Sequence, residues 1–347
     1  MVVKRRGKGL NRRTSGNNLK PKKNIAKKVP YRNLYEDGIT YSFLSQFHNC
    51  RESARLQYVE GWYTEGLAMP LDFGLAFHDC LEWVASGNSP DRISQPLSSY
   101  QKSKLSNTKL RTDERKQLDM LVGMVKVVFP LYAEYWKAKD ADFKYVLQEE
   151  AFKVQHKINY YGEEKTIPIR GRIDAAFTRK SDGIFCLQEN KTKGKIDEDG
   201  IQSALHMDMQ TMMYCLALRY MHGTAPAEVL YNVIRRPGLK QRKKETVDQF
   251  LSRVREDIHG RPQWYFMRWR VDFSPGDLDR WVENCFNPIV IQVIRWWDSI
   301  AGNPFAPSKS PEHFTDPEGL FGRYGRSNYF DALTKGNYQG LRRARKI

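Results

Sequence analysis

The sequence predicts an α/β protein in which helices flank a small, mixed and partly antiparallel β-sheet, behind an N-terminal helical lobe. Three observations predict it. Apolar side chains recur at helical spacing through residues 40–136. Residues 145–191 switch to alternating and β-branched runs broken by turn signals. Beyond residue 204, helix and strand patterns alternate. A chain of 347 residues, 40% hydrophobic and 28% charged, is long enough to bury a core and too apolar to be disordered throughout.

The elements follow in order. Thr40-Tyr41-Ser42 precedes an amphipathic run from Phe43 to Tyr58, with Ser42 as N-cap and Phe43, Leu44 and Phe47 at helical spacing. Leu71–Ala85 is a second helix carrying Phe73, Phe77, Leu81 and Val84, with Gly87 placed to stop it. Arg111–Trp136 is a long helical stretch interrupted at Pro130. Tyr145–Tyr161, Thr166–Arg179 and Gly183–Lys191 read as three consecutive strands, separated by turns at Tyr161-Gly162 and Ser181-Asp182-Gly183. Helix Ala204–His222, strand Glu228–Arg235, helix Val247–Asp257, strand Trp264–Asp272 and helix Asp277–Ile300 complete the pattern.

The 57 Lys+Arg against 40 Asp+Glu give a net charge of +17, which points to a polyanionic partner. Residues 1–30 hold 11 Lys/Arg and no acid, leaving +6 for the other 317 residues. This is a flexible basic arm, suited to neutralising phosphates or to solubilising the chain. The chain thus divides into an arm (1–30), a helical region (31–144), a core (145–300) and a C-terminal lobe with a basic tail (301–347). No apolar stretch reaches 18 residues and residues 1–30 lack the apolar run of a secretory leader, so neither a membrane span nor secretion is expected. The five cysteines are scattered and never in CxxC, which excludes a zinc ribbon and predicts a reducing compartment.

The chemistry concentrates in residues 169–195. Asp174 ends one predicted strand; Glu189 and Lys191, two residues apart, project from the same face of the next. The intervening turn brings an Asp, a Glu and a Lys to one spot. Two carboxylates and a backbone carbonyl are the oxygen donors that Mg²⁺ prefers, while a protonated lysine stabilises phosphate charge or orients water. A charged hairpin can carry such a pattern without a metal. Here Ile184-Phe185-Cys186-Leu187 runs straight into Gln188-Glu189, so the acid emerges from a buried segment.

Gly171-Arg172-Ile173-Asp174-Ala175, an apolar strand ending in Glu189-Asn190-Lys191, and Gln210-Thr211-Met212-Met213-Tyr214 together resemble the PD-(D/E)XK nucleases. More narrowly, the chain is similar to the RecB-like exonuclease branch, which includes phage exonucleases. Gly74-Leu75-Ala76-Phe77-His78 matches that branch's G-x-x-x-H motif, and Tyr41 to Cys50 matches its Y-S-x-L-x-x-F-x-x-C opening. The resemblance spans about residues 40–235, with the motifs in order. It implies a restriction-endonuclease-like core and a Mg²⁺- or Mn²⁺-dependent deoxyribonuclease, most simply an exonuclease on single- or double-stranded DNA. It also implies that His78, Asp174, Glu189 and the Asn190 carbonyl hold metal, that Lys191 is the catalytic lysine, and that Gln210 and Tyr214 contact the scissile strand or orient that lysine. By itself, His78 reads more readily as a core histidine, and Gln210 with Tyr214 reads equally as a packing pair.

Lys193 and the loop Lys240, Arg242, Lys243 and Lys244 are candidate backbone contacts, or a solvated basic surface. Tryptophans 264, 269, 281, 296 and 297 lie among arginines; at this spacing they read as core rather than a stacking platform. Many RecB-like members hold an iron–sulfur cluster on one early and three late cysteines. Here the late positions read Phe321 or Leu320, Ser327 and Leu333, so Cys50 alone remains. No cluster is expected, Cys50 reads as a small buried hydrophobe, and Tyr324, Tyr329 and Phe330 are expected to hold the C-terminal lobe by packing. The resemblance further implies a role in recombination, repair or phage DNA metabolism in the cytoplasm (a bacterial host's, if phage-encoded), with a helicase, recombinase or other replication protein as a possible partner. An endonuclease, or an inactive nucleic-acid-binding scaffold on the same fold, are the alternatives.

Overall fold

The computed structural model describes residues 30–196, 200, 204–300, 312–322 and 325–344. The basic arm up to residue 29, Tyr324, Arg345 and Lys346 lie outside these residues.

Helix α1 (Tyr41–Asn49) is capped by Thr40, whose Oγ1 accepts from the Phe43 amide at 3.1 Å. Ser42, the expected cap, lies inside the helix because Thr40 is the last extended residue. The expected continuous helix to Tyr58 breaks at Cys50, whose backbone is extended; Arg51–Ala54 and a π-helical turn at Arg55–Val59 resume it. Then come α2 (Met69–Ala85), α3 (Ser94–Asn107) and α4 (Thr112–Asp140). Helix α4 runs through Pro130 without interruption. Burial of Val127, Val128, Phe129 and Tyr132 around it outweighs the roughly 3 kcal/mol a helix-interior proline costs.

Strands β1 (Phe143–Tyr160), β2 (Glu163–Arg179), β3 (Phe185–Lys193), β4 (Glu228–Arg235) and β5 (Phe266–Asp272) form one five-stranded sheet in the order β1-β2-β3-β4-β5. The β3–β4 pair is parallel and the others antiparallel. Tyr161 and Gly162 turn the first hairpin with φ of 52° and 96°, and Asn159 Oδ1 accepts from the Gly162 amide at 2.8 Å. Parallel pairing requires a crossover, and α5 (Met209–His222), capped by Asp208, supplies it. Helix α6 (Val247–Gly260) follows; Pro275–Trp281, a π-helical turn at Val282–Phe286 and α7 (Asn287–Ile300) end this part of the chain.

Two apolar clusters sandwich the sheet. One joins α1, α5 and α7 to it; the other joins α2, α4 and α6 to Ile234 and Phe266. Cys50 is buried. The predicted basic end is partly structural: Trp62–Thr64 pairs antiparallel with Leu341–Arg343, and Arg342 forms an ion pair with Glu65 at 2.5 Å. Tyr329 is buried beside Leu56 and donates to the Trp62 carbonyl at 2.9 Å, while Phe330 meets Phe321 edge-on. No helix among the described residues is long and apolar enough to cross a membrane.

Candidate active site

The site forms where α2 leans on the middle of the sheet. Gly74 makes the approach possible: a Cβ there would stand 3.0 Å from Thr192 Oγ1 on β3. One turn later His78 points at the sheet, its Nδ1 2.8 Å from Glu149 Oε1 and 3.9 Å from Asp174 Oδ1. One donor atom from each of His78, Glu149 and Asp174 lies within 4.8 Å of the others. Glu149 was not among the residues singled out from the sequence. It lies between the Gln148–Ala175 and Glu150–Ile173 pairs of the β1–β2 register, just past a bulge at Val146, with the left-handed φ of 47°. That conformation is uncommon for a residue with a Cβ and turns a strand carboxylate toward the imidazole.

Asp174 Oδ2 accepts from the Asn190 amide at 2.6 Å, which locks β2 to β3 at the site. Glu189 is fully buried; its Oε2 accepts from Lys191 Nζ at 2.5 Å, and its Oε1 has no hydrogen-bond partner among the described residues. Lys191 also donates to Gln210 Oε1 at 3.0 Å, and Gln210 Nε2 donates to the Tyr214 hydroxyl at 3.0 Å. The period of two therefore puts Glu189 and Lys191 on the face toward α5, and the i, i+4 pair from that helix meets them. The side chain of Asn190 lies on the other face, where its Oδ1 accepts from Gln188 and Asn232, and Asn232 also donates to Tyr132 on α4.

The electrostatics are those of crowded carboxylates. Burial pushes the Glu189 carboxyl up to about 7, with Lys191 opposing and Asp174 reinforcing the shift. Glu149 is likewise raised by burial, against the pull of His78. Burial disfavours the charged imidazole of His78, but its bond to Glu149 and the charge of Asp174 outweigh this and raise its pKa. Lys191 is raised too: burial works against its charge, and Glu189 and Asp174 more than compensate. Buried oxygen donors with one imidazole suit a hard divalent cation such as Mg²⁺ or Mn²⁺; Glu189, whose carboxyl feels the charge of Asp174, keeps one oxygen without a partner among the described residues but is not one of the three groups that converge.

A groove of about 910 Å³ opens beside Gln210 and Tyr214, lined also by Arg32, Lys153, Arg170 and Arg172. Sequence reading missed these cations because they come from distant segments. Arg172 is spoken for by Glu82 at 2.7 Å and the Glu149 carbonyl at 2.8 Å. Arg32 lies 5.2 Å from the Tyr58 ring centre. Burial and the charge of Arg32 lower the pKa of Arg170, so two guanidiniums face the same concavity. Lys193 lies 5.5 Å from the ring of Tyr231, and Lys240, Arg242, Lys243 and Lys244 are exposed on the loop after β4; no described contact ties that loop to the carboxylates. Gly171 keeps the groove open, since a Cβ there would stand 2.9 Å from the Phe152 ring and 3.0 Å from Tyr214. Gly171→Ala is expected to cost about 1–3 kcal/mol in a urea melt by overpacking; an unchanged midpoint would refute the contact.

A family model described as the PD-(D/E)XK nuclease superfamily matches residues 39–285. No curated protein matches. Among solved structures, the crystal structure of SSO0001 is similar at 11% identity, covering 62% of this chain and 95% of that chain with a TM-score of 0.27, too slight a likeness to bear on function.

Proposed function

The chain belongs to the PD-(D/E)XK nuclease superfamily, whose members are metal-dependent nucleases, and on that premise we propose that it is an exonuclease of the RecB-like branch that hydrolyses DNA phosphodiester bonds at the cluster of His78, Glu149, Asp174 and Glu189. The observation that carries this reading is the convergence of one donor atom each from His78, Glu149 and Asp174 within 4.8 Å of one another; a buried Glu189 oxygen with no partner among the described residues supports it. His78, Asp174, Glu189 and the Asn190 carbonyl would hold a Mg²⁺ or Mn²⁺ ion, with Glu149 either a further ligand or the group that orients His78. When bound, the ion supplies positive charge to the phosphate and acidity to a water molecule.

The chain's own residues do the rest. Lys191, kept protonated by Glu189 and aimed by Gln210, presents its ammonium to the phosphate as charge builds there. Tyr214 holds Gln210 in that orientation. Water adds to phosphorus, the bond to the leaving sugar oxygen breaks, and the proton ends on that oxygen. The groove beside Tyr214 would hold the strand by its phosphates without reading sequence. The order of the His78, Asp174, Glu189–Lys191 and Gln210–Tyr214 motifs favours an exonuclease, and a role in recombination, repair or phage DNA metabolism follows from the same resemblance.

The test is cleavage of end-labelled linear duplex, linear single strands and a covalently closed circle, in Mg²⁺, in Mn²⁺ and in EDTA. Metal-dependent loss of the linear DNA that spares the circle is the expected result. Nicking of the circle would make the protein an endonuclease, and intact DNA in every metal would overturn the nuclease reading.

A further inference from the structure

Of the five tryptophans expected in the core, Trp281 and Trp296 are buried, but Trp264 is 45% exposed. It sits on the short helix Pro262–Tyr265, ahead of β5 rather than within it. Two arginines hold its position. Arg235 donates from Nε to the Trp264 carbonyl at 2.9 Å and lays its guanidinium 3.8 Å from the centre of the indole. Arg261, held by Asp257 at 2.8 Å, lies 5.9 Å from the same ring. The neighbouring Tyr265 is buried and bonded to Asp257 through its hydroxyl, which anchors the turn.

The indole is also placed relative to the candidate active site. The parallel register pairs Lys193 with Arg235, so this surface begins where the strand bearing Glu189 and Lys191 ends. Four residue steps along the strand separate Glu189 from Lys193, on the order of 13 Å. From Arg235 to Lys244 the chain carries six cations and no acid. An indole backed by a guanidinium, continued by a basic loop, pairs a π-face with phosphate-neutralising charge. A base offers its face only when unstacked, which a paired duplex interior does not allow.

We propose that Trp264, Arg235 and the Lys240–Lys244 loop form a ledge that binds single-stranded nucleic acid flanking the cleaved bond, with one unstacked base on the indole. The proposal rests on the nuclease reading for the position of that bond. It extends the substrate from a single phosphodiester to a strand long enough to reach from Glu189 to Trp264.

The experiment uses the full chain carrying Lys191→Ala, so that no substrate is cut. Binding of labelled oligothymidylate in Mg²⁺ is read by fluorescence anisotropy for strands of about 4 and about 12 nucleotides, alongside a blunt duplex. Adding Trp264→Ala is expected to weaken the long strand about tenfold and to leave the short strand and the duplex unchanged. Trp264→Phe, which keeps a ring, is expected to retain most of the long-strand affinity. Unchanged long-strand affinity in Trp264→Ala would overturn the ledge, as would equal losses for all three ligands in both variants. Because binding is measured without cleavage, the two readings fail separately. An unsubstituted protein that cuts nothing fails the nuclease reading and leaves the length effect intact, whereas a missing length effect fails the ledge in a protein that still cuts.

Discussion

Asp174→Asn and Lys191→Ala are each expected to lower the rate of DNA cleavage by at least about 10³-fold, equivalent to ~4 kcal/mol of transition-state stabilisation. Asp174 presents one oxygen to the Asn190 amide and the other to the His78 side of the cluster. Asparagine keeps the shape but removes the negative charge, so the loss reports on chemistry rather than collapse. Alanine would also strand the buried Asn190 amide at about 1–3 kcal/mol, which is why the conservative change is the sharper test. Lys191 is the ammonium hydrogen-bonded to both Glu189 and Gln210, and its removal leaves Glu189 buried without a counter-charge. Neither change touches Arg32, Arg170 or the basic loop, so binding at low salt is expected to persist. Single-turnover cleavage and anisotropy on the same preparations separate the two effects. Near-normal cleavage in either variant would show that the chemistry lies elsewhere.

The second large effect is on stability. Glu189, Glu149 and His78 all hold their protons more tightly in the folded, metal-free protein than in an unfolded chain. Each such group contributes stability that is fully present below its unfolded pKa and is lost as pH rises through its folded value. For Glu189 that window runs from 4.5 to about 7. The metal-free protein is therefore expected to lose on the order of a few kcal/mol between pH 5 and pH 8 as the empty cluster acquires charge. Mg²⁺ or Mn²⁺ is expected to restore much of it at pH 8 and little at pH 5, because protons and cation compete for the same oxygens. Thermal melts at the two pH values, with and without metal, measure this directly. Glu189→Gln should flatten the pH slope and shrink the metal-induced gain in Tm. A metal-free protein equally stable at both pH values, with no response to metal, would contradict the electrostatics of the cluster.

How much was readable beforehand depends on which physical period each residue obeyed. Glu189 and Lys191 lie in an uninterrupted strand, so alternation alone put both on one face, and α5 met them there. Strand Glu228–Arg235 ends just before Pro237, which cannot donate to a sheet ladder, and its span matched. Glu149 escaped because β1 is irregular. Its apolar side chains fall at Phe143, Tyr145 and Leu147, then at Phe152, Val154 and Ile158. That shift from odd to even positions was the available signal, and it marks the stretch holding the bulge and the left-handed carboxylate. Helix α3 escaped for another reason: only Leu97 in it is buried, so it shows no apolar stripe to detect. Pro130 misled in the opposite direction, since tertiary burial overrode the local penalty. Trp264 was misplaced because the strand was begun at Trp264, two residues early, where Pro262–Tyr265 makes a helical turn instead.

The pairing of Trp62–Thr64 with Leu341–Arg343 sets an order of events in the life of the chain. Its partners are nearly 280 positions apart, whereas the central sheet is complete once Asp272 is present. Closing so long a loop is entropically costly and slow to be rewarded by contacts. During synthesis, the candidate site can assemble while Trp62–Thr64 still presents an unpaired edge. That edge is a place for another strand to add wrongly. The short length of the segment and the flanking Glu65, whose carboxylate later receives Arg342, guard it in the interval: an unmatched acid repels a mistaken neighbour until that arginine arrives, and Arg343 then closes on the Glu60 carbonyl.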